Sequence, residues 1–210
     1  MKPAIFSFSG AAYQGLQSSS CSENAIHYMQ ENLRIIDPLY GILRPLDMMQ
    51  PYRLEMACKG VFPDDKKLKL ADFWKPSVTE RINQDLAGRS EKILLNLASD
   101  EYSAAVNVDE LPEGAEFVKV VFWQEGRTIA LHAKRARGLM VRFLAENQVE
   151  TLDDLKDFAE EGYTFQPDAS SELSIVFDRP KQVANDTAAP SRKASEKQED
   201  KRPKRRRTKR

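Results

Sequence analysis

Two cysteines, Cys21 and Cys58, are too few to staple a chain of 210 residues, so a disulfide scaffold is excluded and a reducing compartment is expected. Two histidines, His27 and His132, leave little material for imidazole chemistry. His27 and Glu31 stand four apart on an expected helix, but two ligands do not make a metal centre, and neither a metal nor a cofactor is called for. No apolar run approaches the roughly eighteen residues that span a bilayer. The start after Met1-Lys2 mimics a secretory signal only superficially, because Ser7, Ser9 and Gly10 interrupt it. The phosphate loop, the dinucleotide fingerprint, the Gly-x-Ser-x-Gly elbow and the paired Cys-x-x-Cys are all missing, and so is any internal repeat.

What is present is enough apolar material for a core, at 41% hydrophobic and 9% aromatic, and an uneven distribution of charge. Lys plus Arg equals Asp plus Glu at 32 each, yet residues 181–210 carry twelve bases and four acids. The rest of the chain therefore has a net charge of −8 and the C-terminal segment one of +8. From Lys181 onward there is one Val and no Leu, Ile, Met or aromatic residue, so this segment cannot offset its ordering entropy and is expected to be disordered. Eight of its last ten residues are Lys or Arg, Lys204, Arg205, Arg206 and Arg207 among them. That density suits nonspecific nucleic-acid binding by counterion release, or reading by a nuclear import receptor. No amphipathic or lipidated segment adjoins it to favour a membrane surface.

Over residues 1–180 the patterning predicts one mixed α and β domain. Ile5–Ser9 alternates like a half-buried strand. Ala25, Ile26, Met29, Leu33 and Ile36 recur at helical spacing, with Ser22 as cap and Asp37-Pro38 as stop. A second short helix is expected after this turn, then an extended stretch near Tyr52 to Met56. Residues 59–69 read as a polar surface loop, and Ser77-Val78-Thr79-Glu80 as a capping box opening a helix. Ile93 to Ala98 reads as a buried strand, with Ser99 capping a helix over Asp100 to Val106. Phe117–Trp123 and Thr128–Ala133 flank Gln-Glu-Gly-Arg and predict a β-hairpin with Gly126 at positive φ. A helix over 134–148, a shorter one opened by Thr151-x-x-Asp154, and strands at 163–165 and 173–177 complete the reading.

Two places in this body carry chemistry. Arg127, Lys134, Arg135, Arg137 and Arg142 fall within residues 126–145, which contain no acid. On a helix Lys134 and Arg137 share a face with Gly138, where a phosphate backbone could approach closely. The alternative is a solvated helix face balanced by acids elsewhere. Asn96 to Tyr102 marks a strand end followed by a helix start, where α/β sheets place ligands. There Asn96, Ser99, Glu101 and Tyr102 could position a phosphorylated or carboxylated ligand; a plain capped helix with an acidic first turn explains the same residues. Cys21 or Cys58 could sense peroxide as an exposed thiolate, and inert buried cysteine is the default.

LYGILRPLDMMQPYRLEM at 39–56, NLASDEY at 96–102, AKRARGLMVRF at 133–143, and EGYTF with SSELSIVF near the end of the body resemble the YaaA family of peroxide-stress proteins. The opening FSFSGAAYQGL resembles the family's Phe-x-Gly-x-x-Tyr-x-Gly-Leu segment, and the matches keep their order from about residue 4 to 178. The resemblance implies a single α/β body of family-specific topology, a helix-hairpin-helix element, a positively charged cleft, DNA binding, and protection against hydrogen peroxide linked to restrained free iron. The candidates for that hairpin in the residue pattern are the helix 22–36, the Asp37–Gly41 turn and the short helix after it, and Gly41, Arg44 and Arg53 then join Lys134, Arg135 and Arg137 as expected nucleic-acid contacts. Two departures stand out. The family's opening Ser-Pro-Ala-Lys-Thr segment and a long helical stretch are absent, as in a shortened gene model. Asp37-Pro38 replaces the family's Ser-Gly before Leu39-Tyr40-Gly41, removing an N–H and adding a charge that repels phosphate. The expected partner is duplex or branched DNA, without a membrane, in the cytoplasm, or in the nucleus of a eukaryotic source. An uncharacterised enzyme or ligand-binding protein built on Asn96–Tyr102 is the alternative.

Overall fold

A computed structural model describes residues 1–181, so the expected disorder of the basic segment lies outside the described residues apart from Lys181. The centre is a four-stranded sheet in the order β5-β6-β8-β7. β5 (Ile93–Asn96), β6 (Glu116–Gln124) and β8 (Ser174–Arg179) run parallel, while β7 (Thr164–Phe165) closes one edge antiparallel to β8. Strict alternation in β6 creates two faces. Val118, Val120 and Phe122 are buried against Ala133, Ala136, Leu139 and Met140 of α5 (Ala130–Glu146). Phe117 points the other way, into a cluster with Val78, Ile82 and Leu86 of α3 (Leu70–Ala87). Phe122, Phe158, Tyr163 and Phe177 form an aromatic knot under α5, with ring centroids 5.4–6.1 Å apart; such pairs add about 0.5–1.5 kcal/mol each beyond their buried area.

A further layer lies outside α5. α1 (Ala11–Leu16) crosses it so closely that a methyl built on Gly138 would stand 1.7 Å from the Ala12 carbonyl oxygen, and one on Gly15 would stand 2.2 Å from that of Arg135. The glycine expected to admit a phosphate backbone is therefore occupied by the backbone of α1. Beside it α2 (Glu23–Asn32) buries Ala25 and Met29 against Ala145. Ser22 caps α2 as expected, its Oγ accepting from the Ala25 N–H at 3.1 Å, and Thr151 caps α6 (Leu152–Leu155) in the same way at 3.2 Å.

Several elements differ from their sequence signals. The helix expected to Ile36 stops at Asn32, and Ile35–Asp37 pairs instead as β2 with β3 (Gly41–Leu43) in an antiparallel ribbon. Apolar spacing continued past the helix end because Ile36 is half-buried in the ribbon, packed against the cluster of Val78 and Ile82, where β-branched residues fit as well. No helix follows the turn. The next pairing is β4 (Met48–Met49) with β1 (Lys2–Pro3), and the helix-hairpin-helix placed over this segment is a helix followed by a β-ribbon. Ile5–Ser9 is not a strand: Ala4–Phe6 forms a 3-10 turn, closed by the Ser7 hydroxyl donating to the Pro3 carbonyl at 2.9 Å.

α3 begins at Leu70, so Ser77 is an interior residue bonded to the Trp74 carbonyl and Pro76 lies inside the helix. The 59–69 loop precedes it as expected. The predicted hairpin shrinks to its turn: Glu125 and Gly126 have φ of 54° and 72°, and the two expected arms meet in a single bridge, Gln124 with Arg127. β6 already has β5 and β8 as neighbours, and the turn is tied to β8 by the Glu125 N–H on the Arg179 carbonyl and the Gly126 N–H on Asp178. Residues from Ala130 onward are thus free to start α5 four residues early.

Candidate nucleic-acid interface

The basic run on α5 divides by what each side chain already holds. Arg135 Nε donates to Glu161 at 2.7 Å and its Nη1 to the Gln14 carbonyl, tying α5 to α1. Glu161 also accepts from Arg179, whose side chain is 3% exposed. Arg142 bonds the Ser20 hydroxyl at 2.8 Å and the Leu16 and Gln17 carbonyls, a cation at the C-terminal end of α1 where the helix dipole favours it. These two arginines are architectural. The side chains of Arg127 and Lys134 are exposed and make no hydrogen bond or ion pair among the described residues, and the half-buried Arg137 side chain donates to none of them either. The first turn of α5 contains no acid.

Arg127 stands where the body ends. It lines an open depression of about 620 Å³ together with Gln124, Glu125, Thr128, Ile129 and Lys181. The last described residue therefore shares a surface with the start of α5. Lys204, Arg205, Arg206 and Arg207 continue the chain from this point and lie outside the described residues.

The turn between β2 and β3 is pinned rather than open. Asp37, 1% exposed, accepts from the Leu39 and Tyr40 N–H groups at 2.8 Å each and from the Tyr52 hydroxyl. Trp74 Nε1 donates to the Pro38 carbonyl, and Gly41 is buried with φ +78° where a methyl would meet the Trp74 ring at 2.5 Å. Gly41 thus serves the turn's packing. Arg44 donates to the Gln30 carbonyl and to Glu31, holding the ribbon on α2 and occupying the carboxylate that His27 would have needed as a partner. Arg53 is exposed and without a partner among the described residues. Burial, with Asp37 close by, pushes the Tyr13 and Tyr52 phenols up and keeps them neutral. Sequence reading missed this tyrosine–aspartate group, whose only local signal is Asp37-Pro38.

At the end of β5, Asn96 is 7% exposed and its Oδ1 accepts from the Ala98 N–H at 2.9 Å. Ser99 occupies the cap position of α4 (Asp100–Ser103), a single turn rather than the helix expected to Val106, and its hydroxyl makes no capping bond. Glu101 accepts from the Ala57 N–H at 2.8 Å, a link to the preceding loop. Tyr102 is half-buried, and that burial raises its phenol. Lys119 Nζ reaches Asp100 at 2.6 Å, and this bond holds the Asp100 carboxyl below the usual carboxylate range. Lys119, one residue of β6, carried no sequence signal.

Comparison with known proteins decides the family. The family described as "Peroxide stress protein YaaA" matches residues 1–169. The chain belongs to that family. A UPF0246 protein of Psychromonas ingrahamii is 45% identical over 181 residues, 85% of this chain and 69% of the relative. UPF0246 proteins of Aliivibrio fischeri (strain MJ11) and Bordetella petrii are 41% and 42% identical over 185 and 182 residues, covering 86% and 85% of this chain and 70% of each relative. The match with the YaaA family takes in α1, the β2–β3 turn, the end of β5 and all of α5, whereas the 201–210 run lies beyond it. Among the described residues of this YaaA-family chain, no three His, Cys, Asp or Glu side chains come together as a metal site, and no helix is long and apolar enough to cross a membrane. The Cys21 thiol is pushed up by burial, which disfavours the thiolate a peroxide sensor needs.

Proposed function

We propose that this peroxide-stress family member binds DNA without sequence preference, through the basic C-terminal segment and the exposed cations at the start of α5, in a response that limits free iron. The observation that carries the reading is the place of Lys181 beside Arg127 in one surface depression. The segment with eight cations in its last ten residues leaves the body next to Arg127, with Lys134 on the following turn of helix. One polyanion can therefore meet both without crossing the acidic remainder of the body. Such contacts act by releasing counterions and carry no base readout, which fits duplex or branched DNA alike. Arg53 is a further exposed cation available to a long duplex. The pinned Asp37–Gly41 turn, with its buried carboxylate, has no part in this reading.

The test is the double charge reversal Arg127→Glu and Lys134→Glu in the full chain. Duplex affinity at low salt is expected to fall roughly tenfold, and the slope of log affinity against log salt to flatten by about two, one phosphate contact for each residue. The unfolding midpoint should stay in place, because neither side chain holds a partner among the described residues. Fluorescence anisotropy with a labelled duplex reads both quantities. Unchanged affinity and slope would remove the start of α5 from the interface.

A further inference from the structure

Gln124, the last residue of β6, is 9% exposed, yet its carboxamide makes no hydrogen bond among the described residues and neither of its polar atoms is sealed from solvent. Burying an amide without a partner is costly, so an unpaired one marks a place for something else. The alternation that turns Val118, Val120 and Phe122 toward α5 puts Gln124 on the same side of the sheet, at the end where α5 begins. Its register partner on β8, Arg179, is committed to Glu161 at 2.9 Å. Gln124 instead lines the depression of about 620 Å³ together with Arg127, Thr128, Ile129 and Lys181. Ile129 is also the cap residue of α5, a helix of 17 residues, and offers it no side-chain bond. The Ala130, Leu131 and His132 N–H groups precede the first helical bond, from the Ala133 N–H to the Ile129 carbonyl at 2.8 Å, and have no acceptor among the described residues. The Thr128 hydroxyl has no partner among them either.

We infer that the turn from β6 to α5 is a binding site for a phosphomonoester, with Gln124 at its floor and Arg127 and Lys181 at its rim. It joins the C-terminal end of a parallel strand to a helix N-terminus, and both features favour anions. Glu125 also lines the depression, so its side chains carry one net positive charge. The start of α5 adds about half a charge more. The sum suits a phosphomonoester, at about −1.5 to −2, better than the single charge of a backbone phosphodiester. The Gln124 amide N–H and the Thr128 hydroxyl donate to its oxygens, and Ile129, 39% exposed, gives the organic part of the ester an apolar wall. The site shares Arg127 and Lys181 with the proposed DNA face, but holding a small phosphate ester does not require that reading.

The experiment uses the full chain, with inorganic phosphate and adenosine 5′-monophosphate as small probes and a DNA hairpin with either a phosphate or a hydroxyl at its 5′ end. The side-chain amide resonances of Gln124, assigned by their loss in Gln124→Leu, are expected to shift saturably with the phosphorylated probes. Calorimetric affinity for the best of them should fall about tenfold in Gln124→Leu. If that variant does not fold, Thr128→Val, at an exposed residue, carries the test with an expected severalfold loss. A severalfold preference for the 5′-phosphorylated hairpin, lost in the variant, names a strand terminus as the source. Equal binding of the two hairpins with saturable binding of the nucleotide names a free phosphorylated small molecule. No saturable shift with any phosphorylated probe, or wild-type affinity in the variant, overturns the site. Lys134 does not line the depression, so duplex affinity that ignores Lys134→Glu counts against the DNA face alone, and the two readings fail separately.

Discussion

Gly138→Ala is expected to destabilise the protein by about 3 kcal/mol, the upper end of the range for overpacking a tight contact. In an exposed helix the same change stabilises by about 1 kcal/mol through helix propensity, so even the sign is diagnostic. The added carbon would stand 1.7 Å from the Ala12 carbonyl oxygen, 2.6 Å from its carbon and 2.8 Å from the Leu16 nitrogen. All three are backbone atoms, and no rotamer change relieves them. α1 would have to lift off α5, breaking the Arg142 bonds to its last carbonyls and the Arg135 bond to Gln14. Gly15→Ala stresses the same crossing from the other side, at 2.2 Å from the Arg135 carbonyl oxygen. Once α1 has moved, the second methyl finds room, so the double variant should lose less than the sum of the singles. Urea unfolding of the three variants measures this. Stabilisation by Gly138→Ala would mean that the helices do not cross as described.

Glu161→Ala should cost a similar amount for an electrostatic reason. Glu161 adopts a left-handed backbone at φ 51° and accepts from Arg135 at 2.7 Å and from Arg179 at 2.9 Å. Arg179 lies under the surface at 3% side-chain exposure, its guanidinium 4.7 Å above the Tyr163 ring. Removing the carboxylate strands a buried charge, and breaking such pairs typically costs about 3 kcal/mol or more. Glu161→Gln, which keeps one acceptor oxygen, should lose about half as much. A loss under about 1 kcal/mol for the alanine variant would show that Arg179 is paired adequately without Glu161.

The parts of this fold that were legible from sequence rest on local chemistry. Ser22 and Thr151 cap helices because a hydroxyl three residues before a free N–H is a complete device in itself. The polar 59–69 loop and the strands of β5, β7 and β8 needed only composition and short apolar runs. What failed depended on partners distant in sequence. Nothing in Gln124–Ala133 announces that β6 already lies between β5 and β8, so the Glu125-Gly126 turn read as a hairpin. Ile36 extended a helical pattern because burial in a ribbon and burial on a helix face look alike at a single position.

The candidate sites follow the same division. The acid-free stretch 126–145 was visible as composition, but Arg135 and Arg142 are spent on α1 while Arg127, Lys134 and Arg137 are not. That separation depends on Gln14, Leu16, Ser20 and Glu161, which lie up to 126 residues away. Lys119 meets Asp100 only because β5 and β6 pair in register at Asn96 and Lys119. Convergence of this kind has no sequence signature.

The central claim is that a net-negative body and a strongly basic C-terminal segment divide the work of holding nucleic acid. Its most direct test is a salt-series titration of one duplex with the full chain and with a chain ending at Lys181. Residues 182–210 carry eleven bases against four acids. Their removal should lower low-salt affinity by two orders of magnitude or more and flatten the salt slope by several, at about 0.9 for each phosphate neutralised. The residual slope of about two would belong to Arg127 and Lys134. An unchanged slope in the shortened chain would contradict the account, because the dominant phosphate contacts would then lie on the folded body.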